Sequence, residues 1–359
     1  MGVGVATVYL CMEVVGCPTV CRHCWAQGVP YGAMPLADIA WALERAHRFC
    51  DDQGLAFNAY PMHEMAAHPD APRLFHLFNE HSASAGSETM FEPLTTTGVP
   101  LAMREDWRDV LKAAAGTGTM NLWLAFHGVG DEHDRQVNRR GAFAETCLAV
   151  ERIREAGLSV GCNVFVTTAN LPRLDELITT LRRLPIDADM WWGVAGFLPT
   201  ARSRHNERVR PTLPDLLPAA GQIRELTAPH WRAWWADLEA QTEAAYVRRA
   251  GAGEWPVQID RRESELALVC RPNLDVHAGL AGLHREWHGN LRTDGVEPVL
   301  SRALAAGRRL DEALWFGDPL PSPSELAVHQ GDPTGLRVHP SEQSVRYLWL
   351  DRDRRPSRR

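Results

Sequence analysis

Three cysteines crowd one stretch near the front of the chain: Cys17, Cys21 and Cys24, in Gly16-Cys-Pro-Thr-Val-Cys-Arg-His-Cys-Trp25. The spacing is C-x3-C-x2-C. Three thiolates on one short loop can hold three irons of a [4Fe–4S] cube and leave the fourth iron open. An open iron is a reaction site rather than an electron wire. A structural zinc site asks for four N/S ligands in two pairs, and no second pair with zinc spacing follows. The plain alternative is three incidental cysteines in a loop, which the context of the motif must decide.

The elements around this loop alternate. Val3–Met12 is an apolar run that reads as a first strand and ends just before the cysteines. Further strands are expected at Leu55–Tyr60, Met90–Thr97, Met120–Phe126, Leu158–Thr167 and Asp189–Phe197. Between them, apolar residues recur at helical spacing in Pro35–Phe49, Ala71–Glu80, Glu105–Ala115, Phe143–Ala156 and Leu171–Leu184. Six strand–helix repeats predict an α/β fold with a parallel sheet, curved into a partial (β/α)6 barrel rather than a closed one. In such sheets the chemistry sits on loops at the carboxyl ends of the strands, where the cysteine loop lies.

The later loops carry matching signals. After the second strand comes Pro61-Met-His-Glu-Met-Ala-Ala-His-Pro69, after the third Leu94-Thr-Thr-Thr-Gly98, and after the fourth Trp123-Leu-Ala-Phe-His-Gly128 with Asp131-Glu-His-Asp134. Arg139, Arg140 and Gly141 follow, and Gly196–Arg202 closes the sixth repeat. Taken with the cysteine spacing, residues 1–205 resemble the radical SAM superfamily. The resemblance implies one [4Fe–4S] cluster on Cys17, Cys21 and Cys24, with S-adenosyl-L-methionine bound at the open iron. It implies that Glu64 receives the methionine ammonium, in a segment where Met62 and His63 replace the usual two glycines. Thr97 stands where asparagine is common. His127 replaces an aspartate that often reaches the ribose, and is equally readable as a satisfied loop residue. Arg139 is a candidate fork for the methionine carboxylate, the alternative being a solvated arginine. His23, just before the third cysteine, is a candidate adenine contact.

Beyond residue 205 the chain changes character. Gln222–Tyr246 reads as helical, with Trp231, Trp234, Trp235 and Leu238 on one side, more in keeping with core than with a sugar platform. Val257–Ile259 and Leu266–Cys270 read as strands. The run from Cys270 through Gly289-Asn-Leu291 resembles the C-terminal extension of the SPASM and twitch branches: a hairpin, then Gly-Asn-Leu, then a helix. In those branches cysteines here bind auxiliary clusters. This extension, residues 206–350, holds Cys270 alone, and a cluster cannot be built on one thiolate. A lone thiol can instead give a hydrogen atom to a substrate radical, so Cys270 is a candidate donor; otherwise it is a small buried hydrophobe. Pro319–Pro323 reads as a linker loop and residues 351–359 as a basic disordered tail.

Composition bounds the rest. The chain has 359 residues, 45% hydrophobic and 23% charged, with net charge −7. The acidic balance offers no argument for nucleic acid or an anionic membrane. Eight cysteines without a paired framework suit a reducing compartment. The first residues read as a strand rather than a signal peptide, and no apolar run approaches a membrane span. The expectation is a cytoplasmic enzyme that cleaves S-adenosylmethionine reductively, with an electron donor such as flavodoxin or ferredoxin. Its expected substrate is a small natural-product molecule, possibly sugar-containing. Epimerisation leads; dehydrogenation, rearrangement, carbon–carbon chemistry, peptide modification and a non-catalytic iron–sulfur scaffold are the alternatives.

Overall fold

The computed structural model describes residues 5–24, 28–82, 94–187, 191–197, 208–252, 265–278, 286–306 and 334–339. Six strands precede the extension: β1 (Thr7–Met12), β2 (Ala56–Pro61), β3 (Leu94–Thr95), β4 (Asn121–Phe126), β5 (Ser159–Val166) and β6 (Trp191–Ala195). β1 and β2 pair in parallel, and β3, β4, β5 and β6 form a second parallel sheet in that order. The partial barrel follows, with no closure among the described residues.

Burial along the strands shows which face is which. In β4 and β5, Leu122, Leu124, Phe126, Val160, Cys162, Val164 and Val166 are buried, while Trp123, Ala125, Asn163 and Phe165 are half-buried. Successive strand side chains point to opposite faces. The first set packs under the helices; the second lines an open interior. The helices supply the complementary apolar stripes. α1 (Leu36–Asp52) buries Ile39, Ala42, Leu43, Ala46, Phe49 and Cys50, a three- and four-residue recurrence. α2 (Ala71–Glu80) buries Leu74, Phe75 and Phe78.

Two short helices escape the sequence pattern: α3 (Val99–Met103) and α5 (Asp131–Val137). Each is about two turns or less, too short for periodicity to declare itself. α4 (Trp107–Gly116), α6 (Ala142–Glu155) and α7 (Leu174–Leu181) stand where helices are expected.

The extension differs from expectation in one part. Gln222–Tyr246 is not one helix. α8 (Leu213–Leu226) ends before Pro229, α9 (Arg232–Ala236) is a single turn or so, and α10 (Glu243–Gly251) starts afresh. Proline at 229 cannot continue the ladder and opens a 3-10 turn instead. Trp235 is core, as expected, and its indole N–H donates to the Gly193 carbonyl at 3.0 Å. Trp231 is not core: it is half exposed and stacks on Trp192 at 4.8 Å.

The hairpin and helix of the extension are present: β7 (Glu265–Cys270), β8 (Asp275–Ala278), β9 (Trp287–Asn290) and α11 (Val296–Ala306). β7 does not stand apart. It pairs in parallel with β1, on the side away from β2, so the sheet order is β2-β1-β7-β8-β9. The expected boundary near residue 205, the strand at Val257–Ile259, the linker at Pro319–Pro323 and the tail at 351–359 lie outside the described residues. Among the described residues, no helix is long and apolar enough to cross a membrane.

Candidate functional site

The cysteine loop is fixed by backbone contacts on two sides. Cys17 N–H donates to the Val29 carbonyl at 3.1 Å, and Met34 N–H to Val14 at 2.8 Å. The chain therefore doubles back on itself at Gly16. A Cβ there would lie 2.1 Å from the Tyr31 nitrogen, so only glycine lets the two backbones approach. On the far side, Val20 and Arg22 donate to the carbonyls of Val137 and Gln136 at the end of α5.

The three thiols do not converge on one point. Among the described residues, no group of three His, Cys, Asp or Glu side chains is placed to hold a single metal ion. Thr19 Oγ1 instead lies between two of them, 3.2 Å from Cys17 Sγ and 3.1 Å from Cys21 Sγ. The Gly28 N–H donates to Cys24 Sγ at 3.3 Å. Cys17 and Cys21 are buried. Burial, with the Glu64 charge adding to it, pushes the Cys17 thiol up to about 11. A bare thiolate is thus disfavoured there, and a bound cationic cluster would offset its charge. Spread thiols with hydrogen-bond partners at the sulfurs fit a cube gripped through three separate irons.

Beside the loop, Glu64 is buried and receives three donors. Thr96 Oγ1 donates to one oxygen at 2.9 Å; the Thr97 N–H and Oγ1 donate to the other at 2.6 and 2.7 Å. Burial still raises its pKa, because all three donors are neutral. A buried carboxylate surrounded only by neutral donors is an acceptor for an incoming cation. Glu64 and Thr97, both candidates from the sequence, meet here; the sequence does not say that Thr97 serves Glu64. Gly98 has φ +79°, and a Cβ on it would meet Leu124 at 2.8 Å.

His68 locks this loop to the cysteine loop. Its Nδ1 accepts from the Asp70 N–H at 2.9 Å, so its Nε2 carries the proton and donates to the Met34 carbonyl at 2.9 Å. Arg104 grips the carbonyls of Ala66, His68 and Pro69.

Across the interior, His23 and His127 meet face to tilted face, with centroids 4.1 Å apart. His23 also stacks on Phe197 at 4.8 Å, and His127 on Phe165 at 5.1 Å. His127 is buried, and its Nδ1 has no hydrogen-bond partner among the described residues. Burial, then the neighbouring His23 and His133, holds its pKa well below the usual imidazole value. The result is an aromatic box around a neutral His127 whose buried Nδ1 is unpartnered among the described residues. Asn170 fastens it from behind, donating to the carbonyls of His127 and Phe165 at 2.9 and 2.7 Å. Asn170 was not legible in the sequence; a lone asparagine after a strand carries no signal of its own.

Two expected residues are placed differently. Arg139 already forks onto Glu145, with two bonds of 2.7 Å. That pair sits at the start of α6, so a methionine carboxylate would have to compete with Glu145 for the guanidinium. Cys270 lies at the right end of its strand but on the other face. It pairs with Met12 and packs in the helix-side core with Leu10 and Leu268. The interior face of these strands belongs instead to Cys11, Met62, Ala267 and Val269. Strand parity is the physical reason: counting from the interior residue Val269, Cys270 points outward.

No protein-family model matches the chain, and no curated protein sequence matches it. Solved structures do. Native anSMEcpe, solved with AdoMet and the Kp18Cys peptide bound, aligns over 97% of this chain and 98% of its own, at 10% identity and a TM-score of 0.50. Streptococcus suis SuiB, bound to precursor peptide SuiA, covers 77% of this chain and 60% of its own, at 14% identity and TM-score 0.44. Coproporphyrinogen III oxidase (HemN) from Escherichia coli, a radical SAM enzyme, covers 68% and 59%, at 15% identity and TM-score 0.42. The chain has the radical SAM fold. Its extension is SPASM-like in strand and helix order, without the cysteines of an auxiliary cluster.

Proposed function

We propose that this chain is an enzyme that binds one [4Fe–4S] cluster on Cys17, Cys21 and Cys24 and cleaves S-adenosylmethionine reductively. The observation that carries the reading is the neighbourhood of the cysteine loop. A buried carboxylate lacking a cation, Glu64, lies close enough to Cys17 for its charge to act on the thiol. When bound, the cluster and S-adenosylmethionine together supply a 5′-deoxyadenosyl radical, which takes a hydrogen atom from an unactivated carbon.

The protein's own residues do the rest. Thr96 and Thr97 hold Glu64 where it can accept the methionine ammonium. His23 and His127, walled by Phe165 and Phe197, offer aromatic faces to an adenosine, beside a buried, unpartnered His127 Nδ1. The half-buried residues Trp123 and Trp192 would offer flat apolar faces to a small-molecule substrate. Asn163 Oδ1 is buried and has no hydrogen-bond partner among the described residues.

Hydrogen abstraction followed by quenching, an epimerisation, is our first reading of the outcome. One cysteine outside the loop lies in the extension, so the sequence offers no second cluster there to accept an electron from a substrate radical. The placement of Cys270 does not support it as the quenching donor. Oxidation of a natural-product intermediate and modification of a peptide compete with this reading. An electron donor such as flavodoxin or ferredoxin completes the proposal.

The test is anaerobic reconstitution, then dithionite and S-adenosylmethionine, with iron and 5′-deoxyadenosine counted together. About four irons per chain and accumulating 5′-deoxyadenosine are expected. Replacing Cys17, Cys21 and Cys24 by Ala removes both. Cluster without cleavage, with or without candidate substrates, would make the chain an iron–sulfur scaffold and sink the enzymatic reading.

A further inference from the structure

His63 has a backbone that a histidine rarely adopts. Its φ is +63°, in the left-handed region. It stands where the resemblance expects glycine, so the glycine-like backbone is kept while a side chain has been added. That side chain reaches a buried carboxylate. The ring is almost wholly buried, and its Nε2 lies 3.4 Å from Glu13 Oε1. The same oxygen accepts from Arg271 Nη1 at 2.6 Å.

Three remote segments therefore meet on one carboxylate. Glu13 follows β1, His63 follows β2, and Arg271 follows β7 of the extension. The backbones around them are tied as well: Glu13 N–H donates to the Cys270 carbonyl at 2.9 Å, and Met62 N–H to Met12 at 2.7 Å. Burial alone would raise the Glu13 pKa; His63 and Arg271 outweigh that and hold it below the usual carboxylate value. The His63 ring also borders the cysteine loop. A Cβ built on Gly28 would lie 3.0 Å from Cys17 Cβ and 3.4 Å from His63 Nδ1.

The next residue in the chain is Glu64. A loop pinned at His63 fixes the carboxylate one residue on, and the pin is anchored in the extension. We propose that His63 and Arg271 are positioning residues for S-adenosylmethionine: through Glu13 they lock the 62–64 loop to β7, so the grip on the methionine ammonium depends on a docked extension. This rests on the assignment of Glu64 made above. It does not follow from the fold, because the bridge is built from a residue that replaces the loop's usual glycine.

The experiment uses reconstituted full-length protein and S-adenosylmethionine alone. Iron per chain, the dissociation constant and the maximal rate of 5′-deoxyadenosine release are measured for wild type, His63→Gly, Arg271→Ala, Arg271→Lys and the His63→Gly/Arg271→Ala double variant. Each loss of a charged hydrogen bond is expected to weaken S-adenosylmethionine binding roughly tenfold. Iron content and maximal rate stay near wild type. Arg271→Lys recovers most of the affinity. The double variant is also weakened only about tenfold, because both side chains act through the same carboxylate.

His63→Gly gives the backbone its preferred residue and removes only the ring. Unchanged or tighter binding in that variant would overturn the proposal, as would independent, multiplying losses in the double variant. If Arg271→Ala loses iron through misfolding, Arg271→Lys and His63→Gly still decide it, since the first keeps most of the side chain and the second relieves the left-handed backbone. Wild type that fails to bind S-adenosylmethionine would instead overturn the Glu64 assignment, and this inference with it.

Discussion

Replacing Glu64 with Gln should weaken the site and strengthen the empty protein, and the two effects have one cause. The carboxylate is buried, with its charge opposed by neutral donors only. Gln fits the same hydrogen bonds. Its carbonyl can take both Thr97 donors, now 2.6 and 2.7 Å from Oε2, and its amide can donate to Thr96, whose hydroxyl rotates. The fold loses little. The ligand loses a charged partner for its ammonium, and hydrogen bonds to charged groups contribute about 1.5–3 kcal/mol, or roughly 10- to 150-fold in the dissociation constant.

Stability moves the other way. A carboxyl whose folded pKa is raised holds its proton more tightly when folded than when unfolded. Its contribution is therefore favourable at low pH and is lost as pH rises through the unfolded value toward the raised folded one. At neutral pH, wild type without ligand carries the cost of a buried charge, and Glu64→Gln does not. The assay is thermal melting of ligand-free protein at several pH values, beside titration with S-adenosylmethionine. The variant should melt higher than wild type at neutral pH, with the gap closing as pH is lowered through the acidic range. A lower melting point at neutral pH, or wild-type affinity for S-adenosylmethionine, would refute the reasoning.

Other variants test the rest. Gly16→Ala places a Cβ 2.1 Å from the Tyr31 nitrogen and 2.7 Å from the Val29 carbonyl, so the loop must open; iron retained after reconstitution should fall well below wild type. Arg139→Ala should leave the affinity for S-adenosylmethionine unchanged, and denaturant melting should register only the loss of the partly exposed Glu145 pair, about 0.2–1 kcal/mol. Cys270→Ala should keep product formation and lose about 1–2 kcal/mol of stability in urea, as for deletion of a buried group in a core. Loss of product with 5′-deoxyadenosine still formed would return Cys270 to the mechanism.

What could be read from the sequence follows from what leaves a periodic or spaced trace. α2 was legible to the residue because Leu74, Phe75 and Phe78 mark one face and His68-Pro-Asp70 marks its start. The cysteine loop, Glu64 and Thr97 were legible because their order along the chain repeats at successive strand ends. The partner of Arg139 is hidden in the sequence, because an arginine fork does not reveal that Glu145, six residues on, meets it. For Cys270 the sequence leaves a hydrogen donor and a buried hydrophobe side by side, since a run buried on both faces, Leu266–Cys270, hides which side is in. Glu13, His63 and Arg271 could not be joined without the structure: 50 and 258 residues separate them from one another along the chain. The one available hint was His63 itself, a side chain where glycine is usual.

The parallel pairing of β1 with β7 also sets an order of events during synthesis. Thr7 is matched with Glu265, so the first strand waits for its second neighbour until the ribosome has added more than two hundred residues. At about 5–20 residues per second, that is a delay on the order of ten seconds to a minute. Throughout it, β1 presents an unpaired edge and the 62–64 loop beside the cysteines lacks its Arg271 anchor, a state open to strand mispairing and to stray oxidation of the thiols. Cluster insertion that succeeds early would meet a half-built pocket. Delivery of iron and sulfur is therefore timed best after release of the chain, and a cell-free translation supplied with cluster donors only after termination should give more loaded protein than one supplied throughout.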